Sequence, residues 1–184
     1  SMKKFITLAL LVPFVASANL VSRLDLYTKT KGPGLALMVI DDGKISRKQG
    51  FGFADREKKI RIDSKTNINL ASNSKQFTAM AAMLLERDQK LSSDDLVSKY
   101  IPEFPSYAKD VRVKDLIFHT SGLPDYMELC ESKTPITNKE VLALLQKKTA
   151  LIFPAGSKHE YSNTGYVILS EVIERASGQP FFEF

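Results

Sequence analysis

One cysteine, two histidines and no tryptophan occur among the 184 residues. A lone Cys130 excludes an intramolecular disulfide. It also leaves few ligands for zinc, and His119 and His159 stand forty residues apart in sequence, which argues against a metal centre. No G-x-S-x-G is present, which argues against the nucleophile elbow of an α/β-hydrolase. Internal repeats and low-complexity tracts are absent too. Nor is there a strong excess of one charge, with 26 basic residues against 21 acidic ones. The basic residues are scattered as pairs such as Lys58-Lys59 and Lys147-Lys148, a pattern of solvated surface rather than a nucleic-acid stripe. These absences leave no cofactor, no metal and no nucleic-acid partner indicated.

What remains is a chain with 43% hydrophobic and 26% charged residues, which suits one globular domain with a real core. Its start has the three parts of a signal peptide. Lys3-Lys4 forms a positive region, Phe5 to Val15 an apolar one, and Ala16-Ser17-Ala18 a small-residue cleavage site. The apolar stretch is too short for a mature membrane span, and no cysteine follows for a lipid anchor. Ser1 before Met2 reads as a remnant of expression. Residues 1–18 are thus expected to be removed on export to a periplasmic or extracellular location, leaving 19–184 with no stable membrane anchor. Losing Lys3 and Lys4 and no acid lowers the net charge from +5 to +3.

Along the remainder, Leu20 to Tyr27 predicts a short helix ended by Lys31-Gly-Pro-Gly34. Gly34 to Ile40 reads as a buried strand, Asp41-Asp-Gly43 as a tight hairpin turn, and Lys44 to Phe53 as the return strand. Gly50 and Gly52 suggest a bulge or a close backbone approach there. Phe77, Met80, Ala81, Leu84 and Leu85 recur at helical spacing, with Met80 and Met83 expected in or near the core. Ser92 to Asp95 offers a cap for another short helix, and Val113 to Phe118 a further helical turn or two. Asn138 is expected to cap a helix through Leu145, and Gly165 to Ala176 predicts a last apolar helix closed by Gly178. A lone hairpin whose first strand is apolar on both faces is marginal, so something is expected to pair with it and cover it.

Ser72 and Lys75 carry the first chemical signal. A hydroxyl attacks poorly until a neighbour takes its proton, and a lysine three residues on, at a helix start, lies within reach. The S-x-x-K pattern alone is weak: it also occurs at Ser1–Lys4 and Ser106–Lys109, and about one or two matches arise by chance. Only Ser72 opens a strongly periodic helix. Tyr161-Ser162-Asn163 is the second signal, since a tyrosine can relay a proton and an asparagine can orient an amide or the lysine. Lys148-Thr149-Ala150 closes a helical stretch and reads as surface. His119 reads as a hydrogen-bonding residue of the H-T-S-G turn rather than a base.

Four segments in order carry a family resemblance. Ala71-Ser-Asn-Ser-Lys-Gln-Phe-Thr-Ala79, His119-Thr-Ser-Gly-Leu-Pro124, Phe153-Pro-Ala-Gly156 and Tyr161-Ser-Asn-Thr-Gly-Tyr166 resemble the serine β-lactamase and penicillin-binding-protein superfamily. The likeness is to its class C, D-alanyl-peptidase and esterase branch. It implies a mixed α/β fold of the β-lactamase and transpeptidase type, here an N-terminal hairpin and a helical domain. Ser72 would then form an acyl-enzyme, assisted by Lys75, with Tyr161 sharing acid–base work and Asn163 orienting substrate or Lys75. Either Lys75 or Tyr161 could be the base. The Ser72 amide would supply one oxyanion donor. Substrates would be β-lactams, peptidoglycan D-alanyl peptides or small esters.

The family also carries a K-T-G or H-x-G strand after the Y-x-N segment, and the sequence ends at Phe184 before such a strand. A competing expectation is therefore a ligand- or partner-binding fragment that keeps the nucleophile without a finished oxyanion hole. A third, a helical secreted interaction module, would require four accidental matches. The unpaired strand predicts self-association through its edge. Loss of one oxyanion donor costs on the order of a hundred- to a thousand-fold in rate. The isolated 184-residue chain is thus expected to turn over nitrocefin or p-nitrophenyl esters slowly, and brisk hydrolysis by purified material would contradict that.

Overall fold

The computed structural model describes residues 23–24, 34–130 and 135–184. The expected signal segment lies outside them, as does most of the expected Leu20–Tyr27 helix, of which Arg23 and Leu24 are helical. The chain divides into two compact units, Ser1–Asn69 and Leu70–Phe184.

In the first unit, strand β1 (Leu35–Asp41) pairs antiparallel with β2 (Lys44–Phe51). Asp42 and Gly43 connect them at φ +46° and +73°. Two positive φ values in a two-residue turn match the right-handed twist of the flanking strands. Gly50 fulfils the expected close approach, since a Cβ there would lie 2.2 Å from the carbonyl oxygen of Ile62. The bulge falls elsewhere, between Val39 and Ile40. Gly52, at φ +67°, breaks the expected single return strand, which resumes as β3 (Phe53–Asp55) and pairs with β4 (Ile60–Arg61). Leu35, Leu37 and Val39 are half-buried, whereas Met38, Ile40 and Ile45 are at least half exposed. Among the described residues the expected cover for the second apolar face of β1 is not found.

The second unit is helical and is organised around its last helix. Its helices are α1 (Lys75–Arg87), α2 (Val113–Ile117), α3 (Tyr126–Leu129), α4 (Asn138–Gln146) and α5 (Asn163–Ser177). In α5, Ile168, Leu169, Val172 and Ile173 are wholly buried, and the helix packs against α1, α2 and α4. They share the core with Leu85, Val97, Ile101, Val111, Leu116 and Leu145. Full burial of such a side chain contributes roughly 1.5–3 kcal/mol, so this cluster dominates the stability of the unit. Ser162 caps α5 by accepting from the Gly165 amide at 2.9 Å, and Gly178 ends it at φ +77°.

Three local expectations shift. Thr137, not Asn138, caps α4, through a reciprocal pairing with Glu140 in which the Thr137 amide donates to Oε2 at 2.7 Å. Ser92 to Asp95 starts no α-helix. The Asp95 carboxylate instead takes the Ser92 amide, Lys99 and the Tyr100 hydroxyl, and the chain forms only a short 3-10 turn, Val97–Lys99. Met80 and Met83 are exposed, because α1 buries Ala82 and Leu85 and presents Phe77 and the two methionines outward. Helix α1 is apolar on more than one side, so periodicity could not select the buried stripe. Lys148, Thr149 and Ala150 are exposed as expected.

Arg175 of α5 forks onto the Glu103 carboxylate and holds it down to about 2, mainly through the hydrogen bonds from Arg175. Both side chains are partly exposed, so solvent limits the pair. Glu103→Gln is expected to cost less than about 1 kcal/mol at neutral pH. Because the folded carboxyl titrates low, that contribution is present above the ordinary glutamate range and is lost as pH falls toward about 2. Denaturant melts of both proteins across that range read the difference. Leu169→Ala, by contrast, is expected to cost about 2–5 kcal/mol at any pH where the protein folds.

Candidate active site

Ser72 sits on a 3-10 turn, Ala71–Ser74, that runs directly into α1. Ala71 adopts φ +46°, a left-handed conformation that costs a residue with a Cβ about 1–3 kcal/mol. The turn is held by the Ser74 hydroxyl on the Ala71 carbonyl at 2.6 Å and by the Asn73 amide on Leu70 at 3.0 Å. Lys75, three residues on, brings Nζ to 3.3 Å from the Ser72 hydroxyl. The helical spacing thus produces the contact expected of it.

The start of α5 supplies the rest. Tyr161 donates its hydroxyl to Ser72 Oγ at 2.8 Å, and Lys75 Nζ donates to Asn163 Oδ1 at 2.8 Å. Ser72 Oγ therefore lies between a lysine three residues away and a tyrosine 89 residues away. Ser72, Lys75, Tyr161 and Asn163, read separately from the sequence, are in one cluster. Ser106 and Lys109 are exposed, at either end of a 3-10 turn, Ser106–Ala108. Lys75 Nζ also stands 4.9 Å from the Tyr161 ring centroid and 5.6 Å from that of Tyr166. The Tyr161 phenol is held below its usual range, first by Lys75 and then by the hydrogen bond with Ser72, while burial opposes both.

Contacts beside the cluster set its position. The Thr164 hydroxyl donates to the Pro124 carbonyl at 2.8 Å and accepts from the Tyr126 amide at 2.9 Å. This buried pair ties α5 to the loop before α3. That loop pairs with the F-P-A-G segment: Ile152 donates to Gly122 at 2.8 Å and Gly156 to Thr120 at 2.9 Å. Gly122 is required at the crossing. Its φ is +66°, and a Cβ would stand 2.1 Å from the Phe153 carbonyl oxygen.

His119 accepts from the Ser162 amide through Nδ1 at 3.0 Å, the hydrogen-bonding role read from the sequence. Burial first, then His159 and Lys75, push its imidazole below the ordinary histidine value. The wide sequence separation of the histidines does not carry into space, since their rings stand edge to face at 5.9 Å. Among the described residues, no three His, Cys, Asp or Glu side chains group as metal ligands. Sequence reasoning missed Tyr166, whose ring lies under Lys75 and whose hydroxyl donates to Ile117 at 3.1 Å. It also missed Thr164. The repeated aromatic in Y-S-N-T-G-Y, one helical turn past Asn163, was the available signal for Tyr166.

Two clefts reach the cluster. One of about 170 Å³ is lined by Gly122, Leu123, Asp125, Phe153, Glu160 and Tyr161. The other, about 260 Å³, meets Lys75, Tyr126, Asn163 and Tyr166.

The family model described as Beta-lactamase matches residues 18–184. A penicillin-binding protein of Bacillus subtilis (strain 168) is 34% identical over 153 residues, 80% of this chain and 34% of that protein. Protein flp of Staphylococcus aureus (strain COL) is 28% identical, over 83% of this chain and 32% of its own length. Among solved structures, an octameric penicillin-binding protein homologue from Pyrococcus abyssi superposes with a TM-score of 0.76 at 28% identity. It covers 92% of this chain, which spans 40% of it. A D-amino acid amidase from Ochrobactrum anthropi SV3 gives a TM-score of 0.76 at 25% identity, over 91% of this chain and 46% of its own. The chain spans about a third of the length of the curated relatives it matches.

Two consequences of this geometry are measurable. Lys75→Met should raise the Tyr161 phenol toward the value of free tyrosine, read by NMR of ring-labelled tyrosine, and an unchanged titration would contradict the cause given. Gly122→Ala should destabilise the helical unit by more than about 2 kcal/mol, because the clash is with backbone and the φ is left-handed. Thermal melts read this directly.

Proposed function

We propose, from the premise that the chain belongs to the beta-lactamase family within the serine β-lactamase and penicillin-binding-protein superfamily, that Ser72 is the nucleophile of an exported serine acyl hydrolase. The observation that carries this reading is Ser72 Oγ held between Lys75 Nζ at 3.3 Å and the Tyr161 hydroxyl at 2.8 Å. Tyr161 is the base of first choice. It is the nearer group, and Lys75 beside it lowers its phenol from the ordinary value. Asn163 presents its amide oxygen to Lys75 and keeps Nζ beside both oxygens.

In the proposed reaction, Tyr161 as phenolate accepts the Ser72 proton while Oγ bonds to the substrate carbonyl carbon. The tetrahedral intermediate collapses, the bond to the leaving group breaks, and that group takes the proton from Tyr161. The acyl-enzyme is then cleaved by water, which passes a proton through Tyr161 and restores the Ser72 hydroxyl. Lys75 keeps positive charge close to the oxygens that become anionic. The residues described supply this nucleophile and proton relay without needing a cofactor.

β-Lactams, D-alanyl peptides and small esters are the substrate classes proposed for the whole protein that carries this chain. The relatives support an acyl-transfer range of that breadth: their names include penicillin-binding proteins, a D-amino acid amidase, and a hydrolase with promiscuous acyltransferase activity. Export with cleavage after Ala18 belongs to the same proposal, and sequencing of mature secreted protein should then begin at Asn19. No helix among the described residues is long and apolar enough to cross a membrane. Self-association through the edge of the β1–β2 hairpin is proposed as well. A single sedimenting monomer across the micromolar range would rule it out.

The full protein is expected to be labelled at Ser72 by a fluorescent penicillin or a fluorophosphonate, with the adduct seen by intact mass. Ser72→Ala should abolish labelling, and a variant that labels as well as the parent would overturn the assignment. Tyr161→Phe should slow acylation by about a hundred- to ten-thousand-fold, the range for loss of general acid–base catalysis.

A further inference from the structure

Tyr161 is 54% exposed, so packing alone gives its ring little support. Its phenol nevertheless has to meet a single oxygen, Ser72 Oγ. The residues on either side of it are both held by His119. The His119 carbonyl accepts from the Glu160 amide at 2.8 Å, and Nδ1 accepts from the Ser162 amide at 3.0 Å. Between these two anchors the imidazole lies against the Tyr161 ring, with centroids 4.7 Å apart and planes tilted by 31°. The Tyr166 ring lies at 5.2 Å and that of His159 at 5.9 Å. One residue therefore brackets Tyr161 along the backbone and also backs its ring.

The backbone of His119 is bent to do this. At φ +59° it occupies the left-handed region, where a residue with a Cβ stays only when its surroundings over-determine it. The Thr120 amide donates to the Asp115 carbonyl at 2.9 Å, and its hydroxyl donates to the Asp115 carboxylate at 2.8 Å. These bonds brace the turn from α2. The bent backbone at His119 thus aims its carbonyl and its ring at the two neighbours of Tyr161.

We propose that His119 is a positioning residue for the acylation step, its ring acceptor on Ser162 and its face on Tyr161 fixing the phenol on the Ser72 hydroxyl. The proposal rests on the reading of Ser72 as nucleophile and Tyr161 as its proton partner. It assigns His119 no contact with substrate. A role confined to stabilising the turn would leave the ionisation of Tyr161 unchanged, whereas positioning couples the two. The acceptor must be neutral to work, because a protonated Nδ1 has no lone pair for the Ser162 amide. The titratable groups facing the ring are His159 at 5.9 Å, Tyr161, Tyr166, and Lys75, whose Nζ stands over both tyrosines.

The test uses the full protein with three variants. His119→Phe keeps a ring and removes the acceptor. His119→Asn keeps an acceptor near the Nδ1 position and tolerates a positive φ. His119→Ala removes both. Second-order acylation by the fluorescent penicillin or fluorophosphonate probe should fall about ten- to a hundred-fold in the Ala and Phe variants, the scale of a small misplacement of a reacting group. The Asn variant should recover most of that loss, and the Tyr161 phenol should titrate higher in Ala and Phe than in the parent. Folded Ala and Phe variants that acylate within two-fold of the parent, with Tyr161 unmoved, would overturn the proposal. Wild-type protein gives an independent reading if a variant fails to fold. Through the His119 titration, the Ser162 amide and Tyr161 ring-carbon resonances should move with the imidazole's midpoint, and resonances that ignore it would also overturn the proposal. Neither NMR reading needs turnover. A parent that takes no probe therefore removes the nucleophile reading, while the coupling of His119 to Tyr161 is still decided.

Discussion

Burial of α5 against α1 is the constraint on which the rest of the structure depends. Lys75 at the start of α1 and Asn163 at the start of α5 are separated by 88 residues, yet Nζ and Oδ1 meet at 2.8 Å. The contact exists because Ala82 and Leu85 on one helix, and Ile168, Leu169, Val172 and Ile173 on the other, lose nearly all their contact with water in one shared core. Several side chains at roughly 1.5–3 kcal/mol each far outweigh the single polar contacts at the site. The core sets the relative position of the two helix starts. The polar contacts then join the side chains at those starts.

Two left-handed residues border the Ser72 cluster. Ala71 and His119 both adopt left-handed φ, one beside Ser72 and the other beside the bracketed tyrosine. Gly122 crosses the Phe153 carbonyl so closely that no side chain fits. His119 and Gly122 are held by hydrogen bonds to segments that return across the helix end, and Ala71 by the Ser74 hydroxyl of its own turn. Thr164 is the link: one buried hydroxyl connects α5 to both Pro124 and Tyr126. A polar group with both its donor and its acceptor capacity used, and no access to water, tolerates little displacement.

Legibility differed from residue to residue. Ser72 and Lys75 were legible because three residues along a helical start bring two side chains together whatever surrounds them. The Y-S-N segment was legible as chemistry but not as a partner, since nothing local says that Tyr161 reaches Ser72. Met80 and Met83 were misread because α1 is apolar on more than one side, and only the position of α5 decides which stripe is buried. The cap of α4 moved by one residue, from Asn138 to Thr137, because both can cap and the reciprocal Glu140 contact chooses between them. The two histidines looked remote because separation in sequence carries no information once a loop returns across a helix end.

By itself the sequence determined the hairpin, the apolar helices, the lack of an internal disulfide, and the four polar side chains Ser72, Lys75, Tyr161 and Asn163 as candidates. All of these depend on period, turn chemistry and residue type, which are local properties. Tertiary structure alone decided that Ser72 lies between Lys75 and Tyr161, that Tyr166 lies beneath the lysine, and that His119 holds both neighbours of Tyr161. Those are long-range contacts. They arise from the packing of whole helix faces, which no window of a dozen residues contains.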